Sequence, residues 1–267
     1  MTVGTFALLV LAGIGGGLSG SIAGLASLVS YPALLATGLS PISANVTNTI
    51  ALVFQGVGNA AGSRPELRGQ GPLVRRMLVW AVPGGVVGSV LLLITPSGSF
   101  EKVVPFLIGG ASLAVLIRTG PGAAAPEVPA GDLPHSAADV DPQAPRVTPP
   151  RALLIGSFFI GIYGGYFGAA AGVMMLALML SLTGLSLARS AAVRSVVLTS
   201  ANLVAALYFA VFGPVDWLSA IPLAIGFLIG GRIGPVIVRH APAGPLRVLI
   251  ALAGVGLAVK LAVGAFF

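Results

Sequence analysis

The chain has no cysteine and very few charged residues. Without cysteine, disulfide bonds, thiolate metal sites and thiol relays are excluded. Only 8% of its 267 residues are charged and 56% are hydrophobic, whereas a soluble domain carries about 25% charged residues. Apolar runs long enough to cross a roughly 30 Å hydrocarbon core recur from end to end. We therefore predict an all-α, polytopic integral membrane protein embedded in a lipid bilayer.

Acidic residues and histidines are scarce in the apolar segments. Glu66, Glu101 and Asp216 lie in or beside predicted loops. Because proton-coupled carriers usually need a titratable group at depth, we expect transport that is not coupled through a buried carboxylate. The two histidines, His135 and His240, also lie in polar connections, and no His/Glu metal spacing is present. The sequence predicts no bound metal and no cofactor, and without a basic and aromatic run outside the apolar segments it predicts no nucleic-acid partner.

A polar, proline-rich stretch at residues 119–151 divides the chain in two. Its composition predicts a disordered linker between an N-terminal transmembrane repeat, residues 1–118, and a C-terminal one, residues 152–267. The halves begin alike, since residues 13–20 and 161–168 share a glycine pattern. An internal duplication is the economical interpretation, and such repeats are common in transporters.

Each half contains four apolar segments, which predicts about eight transmembrane helices. The segments are residues 4–36, 41–61, 77–94 and 103–118, then 152–182, 187–212, 217–238 and 246–266. The first segment of each half is rich in glycine and too long for one straight crossing at about 1.5 Å per residue. We expect it to be tilted, broken or re-entrant. Four true crossings per half predict parallel repeats, and an odd number predicts inverted ones.

The positive-inside rule gives only a weak orientation. The loop at residues 62–76 carries four arginines, which favours that side as cytoplasmic. If all eight segments cross, however, Arg189 lies on the other side, together with Arg239 and Arg247.

Arg194 is the most informative polar residue of the apolar segments. It lies about 10 Å into its segment by helical rise, where an arginine costs about 2.5 to 3.5 kcal/mol on insertion scales. Either it extends to the nearer interface, or it is the fixed cation of a pocket for an oxyanion. Aligning the halves pairs it with Asn48, which either bridges helices or shares that pocket.

The predicted substrate-binding residues combine this cation with nearby amides, hydroxyls and glycines. Glycine favours close helix packing, or unwound backbone whose N–H groups face an anion. The candidates are Asn45, Thr47, Asn48, Gln55, Arg194, Ser195, Thr199, Asn202, Gly20, Gly24, Gly168 and Gly172. They predict a transporter of a small anion, bound near mid-membrane between the halves.

One short motif of the sequence also occurs in a class of enzymes. The sequence Gly-Leu-Ser-Gly around Ser19 matches the short pattern of rhomboid intramembrane proteases, but such an enzyme needs a histidine base within reach of the serine. We therefore predict no enzyme and no catalytic residue. A non-transporting membrane scaffold remains the other alternative.

The chain resembles the TauE/SafE family of sulfite exporters and toluene sulfonate uptake permeases over nearly its full length. The resemblance rests on the two glycine-rich first segments, on the Gly-Leu-Ser turns at residues 38–40 and 184–186 that lead into polar second segments, and on the Gly-Pro-Val-Asp-Trp connection at residues 213–217. It implies export or uptake of sulfite, a sulfonate or a related small organic anion across the plasma (inner) membrane. Of the two directions we expect export, and we consider a homodimer as the assembly. Residues 21–24 and 193–195 depart from the family's usual motifs, so a non-sulfur carboxylate is the alternative substrate.

Overall fold

The computed structural model describes residues 1–118 and 149–238, together with individual residues between 252 and 263. This described part is helical and contains no strand, which confirms the predicted all-α class. Most of the predicted linker, residues 119–148, lies outside it, as does most of the last predicted segment. The helices are α1 (Val3–Ala23), α2 (Ala26–Ala36), α3 (Pro41–Gly62), α4 (Arg64–Leu67), α5 (Gly71–Ile94), α6 (Ser97–Arg118), α7 (Arg151–Tyr166), α8 (Ala171–Leu182), α9 (Leu187–Phe212) and α10 (Trp217–Val238).

Among the described helices, α1, α5, α9 and α10 are long and apolar enough to cross a membrane. Two others, α2 and α8, are apolar but only 11 and 12 residues long, and a crossing needs about 20. Helix α3 has 22 residues, yet its amide and hydroxyl side chains lower its hydropathy. The predicted eight spans therefore stay a prediction.

The first long segment is broken at Gly24 and folds back on itself. Gly24 has a φ of +75° and its N–H donates to Gly20 O at 2.9 Å, which is a left-handed end of an α-helix. A methyl group on Gly15 would lie 3.6 Å from Val29 Cγ1, although a continuous helix would separate these residues by roughly 21 Å. Helices α1 and α2 are therefore antiparallel, and we call them hairpin 1.

The first long segment of the second half forms a similar hairpin. Helix α7 ends at Tyr166, and after a short connection Ala170, with a φ of 60°, precedes α8. Ser157 Oγ lies 3.8 Å from Met175 Sδ, whereas a straight helix would separate them by roughly 27 Å. We call α7 and α8 hairpin 2. Each of the two long segments is thus broken.

Glycine pairs bring each hairpin against the third long helix of the other half. Methyl groups on Gly13 and Gly17 would each lie 2.9 Å from a Cα atom of α10, those of Gly226 and Gly230. In the same way, a methyl group on Gly165 would lie 3.1 Å from Gly85 Cα on α5. In each contact, residues later in one helix lie beside residues later in the other helix. Helix α1 is therefore parallel to α10, and α5 is parallel to α7. The backbones approach closely because no side chain stands between them.

The polar helices α3 and α9 cross the centre of the bundle in opposite directions. Asn59 near the end of α3 donates to Ser195 near the start of α9 at 3.0 Å. At the other end of α3, Ser43 Oγ donates to Pro214 O, just beyond the end of α9, at 2.8 Å. Each helix follows its own hairpin after a short loop, so the hairpins enter the bundle from opposite ends.

Substituting Gly88 with alanine is expected to destabilise the fold by more than about 2 kcal/mol, because overpacking a well-packed interior typically costs about 1 to 3 kcal/mol. A methyl group there would lie 2.8 Å from Tyr166 N and 2.9 Å from the carbonyl carbon of Ile162. Thermal unfolding of the detergent-purified protein measures the change.

The matched control is Gly110→Ala. Gly110 also lies inside a helix, α6, but nothing stands within 4 Å of its added methyl group, so we expect unchanged or slightly higher stability. Equal unfolding midpoints for the two variants would contradict the close α5–α7 contact.

Candidate functional site

A small polar cavity lies where the two hairpins meet between α3 and α9. Its volume is about 70 Å³, and its wall includes residues of both hairpins and of both polar helices. It lies near the middle of the bundle, because its wall includes Leu52 and Gln55 of the 22-residue α3 and Ser195 to Asn202 of the 26-residue α9.

Arg194 forms one side of this cavity and is buried, with only 3% of its surface exposed. Its Nη2 donates to Gly20 O at 3.0 Å and to Ser21 O at 3.2 Å, and its Nη1 donates to Gly172 O at 3.4 Å. The last carbonyls of a helix lack intrahelical donors and carry partial negative charge. The end of α1 therefore stabilises the guanidinium inside the protein, and Arg194 does not extend to an interface.

The hairpins touch at two glycines beside Arg194. A methyl group on Gly24 would lie 2.7 Å from Arg194 Nη1 and 2.6 Å from the carbonyl carbon of Gly172. A methyl group on Gly172 would lie 2.7 Å from Gly24 Cα. Only hydrogen fits at either position, so these two glycines let the guanidinium approach the helix break.

A hydrogen-bonded chain of polar side chains forms the neighbouring wall. Ser21 Oγ donates to Asn59 Oδ1 at 2.5 Å, and Asn59 Nδ2 donates to Ser195 Oγ at 3.0 Å. Gln55, one helical turn before Asn59, lies with its Nε2 3.5 Å from Gly17 O. The chain joins α1, α3 and α9, so both halves hold these donors in place.

The first turns of two short helices complete the wall. Ala26 and Ser27 begin α2, and Ala171 and Gly172 begin α8. The first N–H groups of a helix have no intrahelical acceptor, and a helix N-terminus carries about half a positive charge. Among the residues that the structure describes, no Asp, Glu or His lines the cavity, and no group of side chains would hold a metal ion. The site is therefore electropositive and suited to an anion.

Comparisons with known proteins identify the family of the chain. The profile of the family described as "Sulfite exporter TauE/SafE" matches residues 9–261. The chain belongs to the TauE/SafE family. Its family members are membrane transporters, so the resemblance seen in the sequence is confirmed, and so is the predicted class of membrane transporter.

Relatives of similar length carry the same general description. A probable membrane transporter protein, ORF9, of Sinorhizobium sp. is 27% identical over 257 residues, which is 96% of this chain and 91% of that protein. A probable membrane transporter protein of Haemophilus influenzae is 28% identical over 218 residues, 80% of this chain and 77% of that protein. The probable membrane transporter protein YfcA of Escherichia coli is 25% identical over 251 residues, 90% and 83% respectively. No solved structure matches the chain.

Most of the residues that the sequence singled out in this TauE/SafE chain meet at the cavity. They come from both hairpins and both polar helices, although the chain separates them widely. The residues at the wall are Gly20, Gly24, Gln55, Gly168, Gly172, Arg194, Ser195, Thr199 and Asn202.

Asn48 lies outside the cavity wall and bridges helices instead. Ser30 Oγ donates to Asn48 Oδ1 at 2.5 Å, and Asn48 Nδ2 donates to Ser27 Oγ at 3.1 Å. Both serines belong to α2, so Asn48 holds hairpin 1 against α3. This is the helix-bridging alternative considered for it in the sequence.

Asn45 and Thr47 also point away from the cavity. Asn45 Nδ2 donates to Tyr166 O at 2.8 Å, which joins α3 to the tip of hairpin 2. Thr47 Oγ1 accepts from the N–H of Asp216 at 3.0 Å, which joins α3 to the connection before α10. Because these residues precede Gln55 by two turns or more, they reach neighbours nearer the end of the bundle.

Eight described wall residues were missing from the predicted set, and three of them contribute a polar group or room for a neighbouring side chain. Asn59 follows Gln55 by four residues and therefore shares its helix face, a signal that the sequence contained. Ser27 reaches the wall because α2 folds back, which no local pattern shows. Gly56 leaves room for the Thr199 side chain, whose Oγ1 and Cβ would overlap a methyl group there.

The described residues give the protease alternative no support. Ser19 is buried, and its Oγ donates to Gly16 O at 3.0 Å, while His135 and His240 lie outside the described residues. Arg232, another arginine within the apolar segments, is exposed on α10 and is absent from the cavity wall.

Substituting Asn48 with alanine is expected to lower the stability by about 1 to 3 kcal/mol, the cost of leaving buried hydrogen-bond partners unsatisfied. Substrate affinity should change less than threefold, since Asn48 does not line the cavity. Thermal unfolding and ligand titration on the same preparation separate the two effects. A tenfold loss of substrate affinity at unchanged stability would show that Asn48 belongs to the binding site.

Proposed function

We propose that this TauE/SafE protein exports a small anion, such as sulfite, a sulfonate or a related organosulfur anion, through the cavity between its two halves. The observation that carries the proposal is the buried guanidinium of Arg194 at the cavity wall. Ionisable residues at membrane depth are rare and mark the binding sites and pathways of transported ions, and Arg194 presents its charge at a cavity that both halves line.

The composition of the cavity wall supports an oxyanion. One cation, two helix N-termini and the amide and hydroxyl groups of Gln55, Asn59, Ser195 and Thr199 present donors, and among the described residues no carboxylate lines the wall. A sulfur anion with several oxygen acceptors matches this set of donors.

The arrangement of helices supports an inverted duplication for the two halves, residues 1–118 and 152–267, joined by the linker at 119–151. The glycine contacts of α1 with α10 correspond to those of α7 with α5, and the two hairpins enter from opposite ends. Transporters with inverted repeats bind their substrate near the midplane, between the repeats. We place the protein in the plasma membrane, with one re-entrant hairpin in each half.

A ligand screen tests the proposed substrate. Purified protein is heated with sulfite, sulfate, thiosulfate, sulfoacetate, taurine and simple carboxylates. A ligand of the native state stabilises it by RT ln(1 + [L]/Kd), about 2.7 kcal/mol at a hundredfold excess over Kd. We expect a sulfur oxyanion to raise the unfolding midpoint. A shift with carboxylates alone would favour the carboxylate alternative, and no shift with any anion would contradict the proposal.

Flux into proteoliposomes tests the driving force. The described part of the cavity wall contains no carboxylate or imidazole, and a monovalent anion leaving an inside-negative cell gains about 2.3 kcal/mol per 100 mV. We expect flux of the stabilising anion to follow the imposed voltage and to ignore a pH gradient at fixed voltage. Flux that requires the pH gradient would contradict this driving force.

A further inference from the structure

The directions of the helices place each connecting loop at one of the two ends of the bundle. Helix α3 ends, and α5 begins, at the end that we call the first end. Because α7 is parallel to α5, residue 151 lies at that end too, and hairpin 2 returns the chain there before α9. This end therefore contains residues 63–70, residues 149–151 and residues 183–186. Residues 1–2, 37–40, 95–96 and 213–216 lie at the opposite end.

Charge is distributed unequally between these ends. In the described residues, the first end contains a single acidic side chain, Glu66, and at least six arginines, and we call it the arginine end. The opposite end contains two acidic side chains, Glu101 and Asp216, and one basic side chain, Lys102. The arginines include Arg64, Arg68, Arg75, Arg76, Arg151 and Arg189, all exposed except the half-buried Arg189.

The arginines border an apolar surface of the bundle. On α5, Val79 and Trp80 follow Arg75 and Arg76 by one helical turn, and both are exposed. On α7, the exposed Ile155 follows Arg151 by one turn. A ring of arginine next to exposed apolar side chains and a tryptophan is the pattern found where a protein passes from headgroups into hydrocarbon. This position favours lipid headgroups over a soluble partner.

We infer that the arginine end is the cytoplasmic face of the protein and lies among anionic phospholipid headgroups, and that α1 begins on the opposite face. Lysine and arginine near the ends of membrane helices set the orientation of the chain, and anionic lipids of the cytoplasmic leaflet attract them. This inference uses helix directions and surface charge only, so it does not depend on the transported anion.

Cysteine labelling tests the orientation, and the natural chain needs no prior substitution because it contains no cysteine. Ser181→Cys and Gly71→Cys place single thiols at the arginine end, and Ala36→Cys and Gly98→Cys place them at the opposite end, all at exposed positions. We expect a membrane-impermeant maleimide to label Ala36→Cys and Gly98→Cys on intact cells, and the other two only after permeabilisation.

The decisive variant is Ser181→Cys. If the first segments were straight crossings, its thiol would lie on the same side as that of Gly98→Cys, and both would label together. Labelling of Gly71→Cys and Ser181→Cys on intact cells, without permeabilisation, would place the arginine end outside. Either result would overturn the inference.

Reconstitution tests the lipid contact. We expect phosphatidylglycerol in phosphatidylcholine vesicles to raise the unfolding midpoint of the natural protein by several degrees. A variant with Arg64→Gln, Arg68→Gln, Arg75→Gln and Arg76→Gln should lose most of this shift, and the control Lys102→Gln should keep it. Soluble glycerol phosphate should not reproduce the shift. An equal shift in the fourfold variant, or a shift with soluble glycerol phosphate, would overturn the lipid assignment.

Discussion

Replacing Arg194 with methionine is expected to weaken anion binding at least about 30-fold and to reduce transport accordingly. Removing one member of a buried, hydrogen-bonded charge pair costs about 2 to 5 kcal/mol, and every 1.4 kcal/mol is about tenfold in affinity. The substitution also removes the donors that reach Gly20 O, Ser21 O and Gly172 O. Ligand-dependent thermal shifts and proteoliposome uptake measure the effect.

Two further variants separate binding from folding. Arg189→Gln removes a cation five residues earlier on α9, outside the cavity wall, and should leave affinity unchanged. Arg194→Lys keeps the charge but loses the planar fork that reaches several carbonyls, so its affinity should lie between the natural protein and the methionine variant. If a folded Arg194→Met protein took up the anion at the rate of the natural protein, Arg194 would not be a binding residue.

Substituting Gly24 with alanine is expected to abolish transport and to lower the yield of folded protein sharply. Gly24 has a φ of +75°, and its added methyl group would lie 2.6 Å from the Gly172 carbonyl carbon and 2.7 Å from Arg194 Nη1. Neither backbone can retreat without separating the hairpins. Detergent size-exclusion chromatography measures the folded fraction, and uptake measures function.

Gly38→Ala is the matched control. Gly38 also has a positive φ, +90°, but nothing lies within 4 Å of its added methyl group. The alanine at this position should lower the stability only by the cost of the left-handed backbone conformation, about 1 to 2 kcal/mol. The difference between the two variants therefore reports the contact between hairpins. Equal losses in both would show that backbone strain alone explains Gly24→Ala.

Asn48 and Arg194 show how aligned positions of the two halves differ in role. Asn48 on α3 donates to Ser27, which belongs to the hairpin of the same half. Arg194 reaches the carbonyls of Gly20 and Ser21 in the other half. Because an arginine side chain is longer and charged, it can extend across the bundle and needs several acceptors. Aligning the two halves of the chain identified equivalent positions in α3 and α9, but these positions have different roles.

Much of the candidate site was predictable because membrane burial makes polar residues informative. Inside an apolar segment, a charged or amide side chain is rare and marks a functional site, and Gln55, Arg194, Ser195, Thr199 and Asn202 all lie at the cavity wall. The same reasoning does not say which neighbour a polar residue finds. Asn45 Nδ2 bonds to the tip of hairpin 2 and Thr47 Oγ1 to the connection before α10, which depends on how the helices pack.

The sequence by itself determined the all-helical membrane class and the family, and it predicted that each long first segment is tilted, broken or re-entrant, because composition, motif order and glycine content are local properties of the chain. The tertiary structure alone decided that each of these segments is broken and that the break reverses the chain. That reversal depends on contacts between distant residues, such as Gly15 with Val29 and Ser157 with Met175. It also brings Arg189 to the same end as Arg75, where straight crossings would have separated them. A helix direction is set by its packing partners, so the distribution of charge between the two ends became visible only once those partners were known.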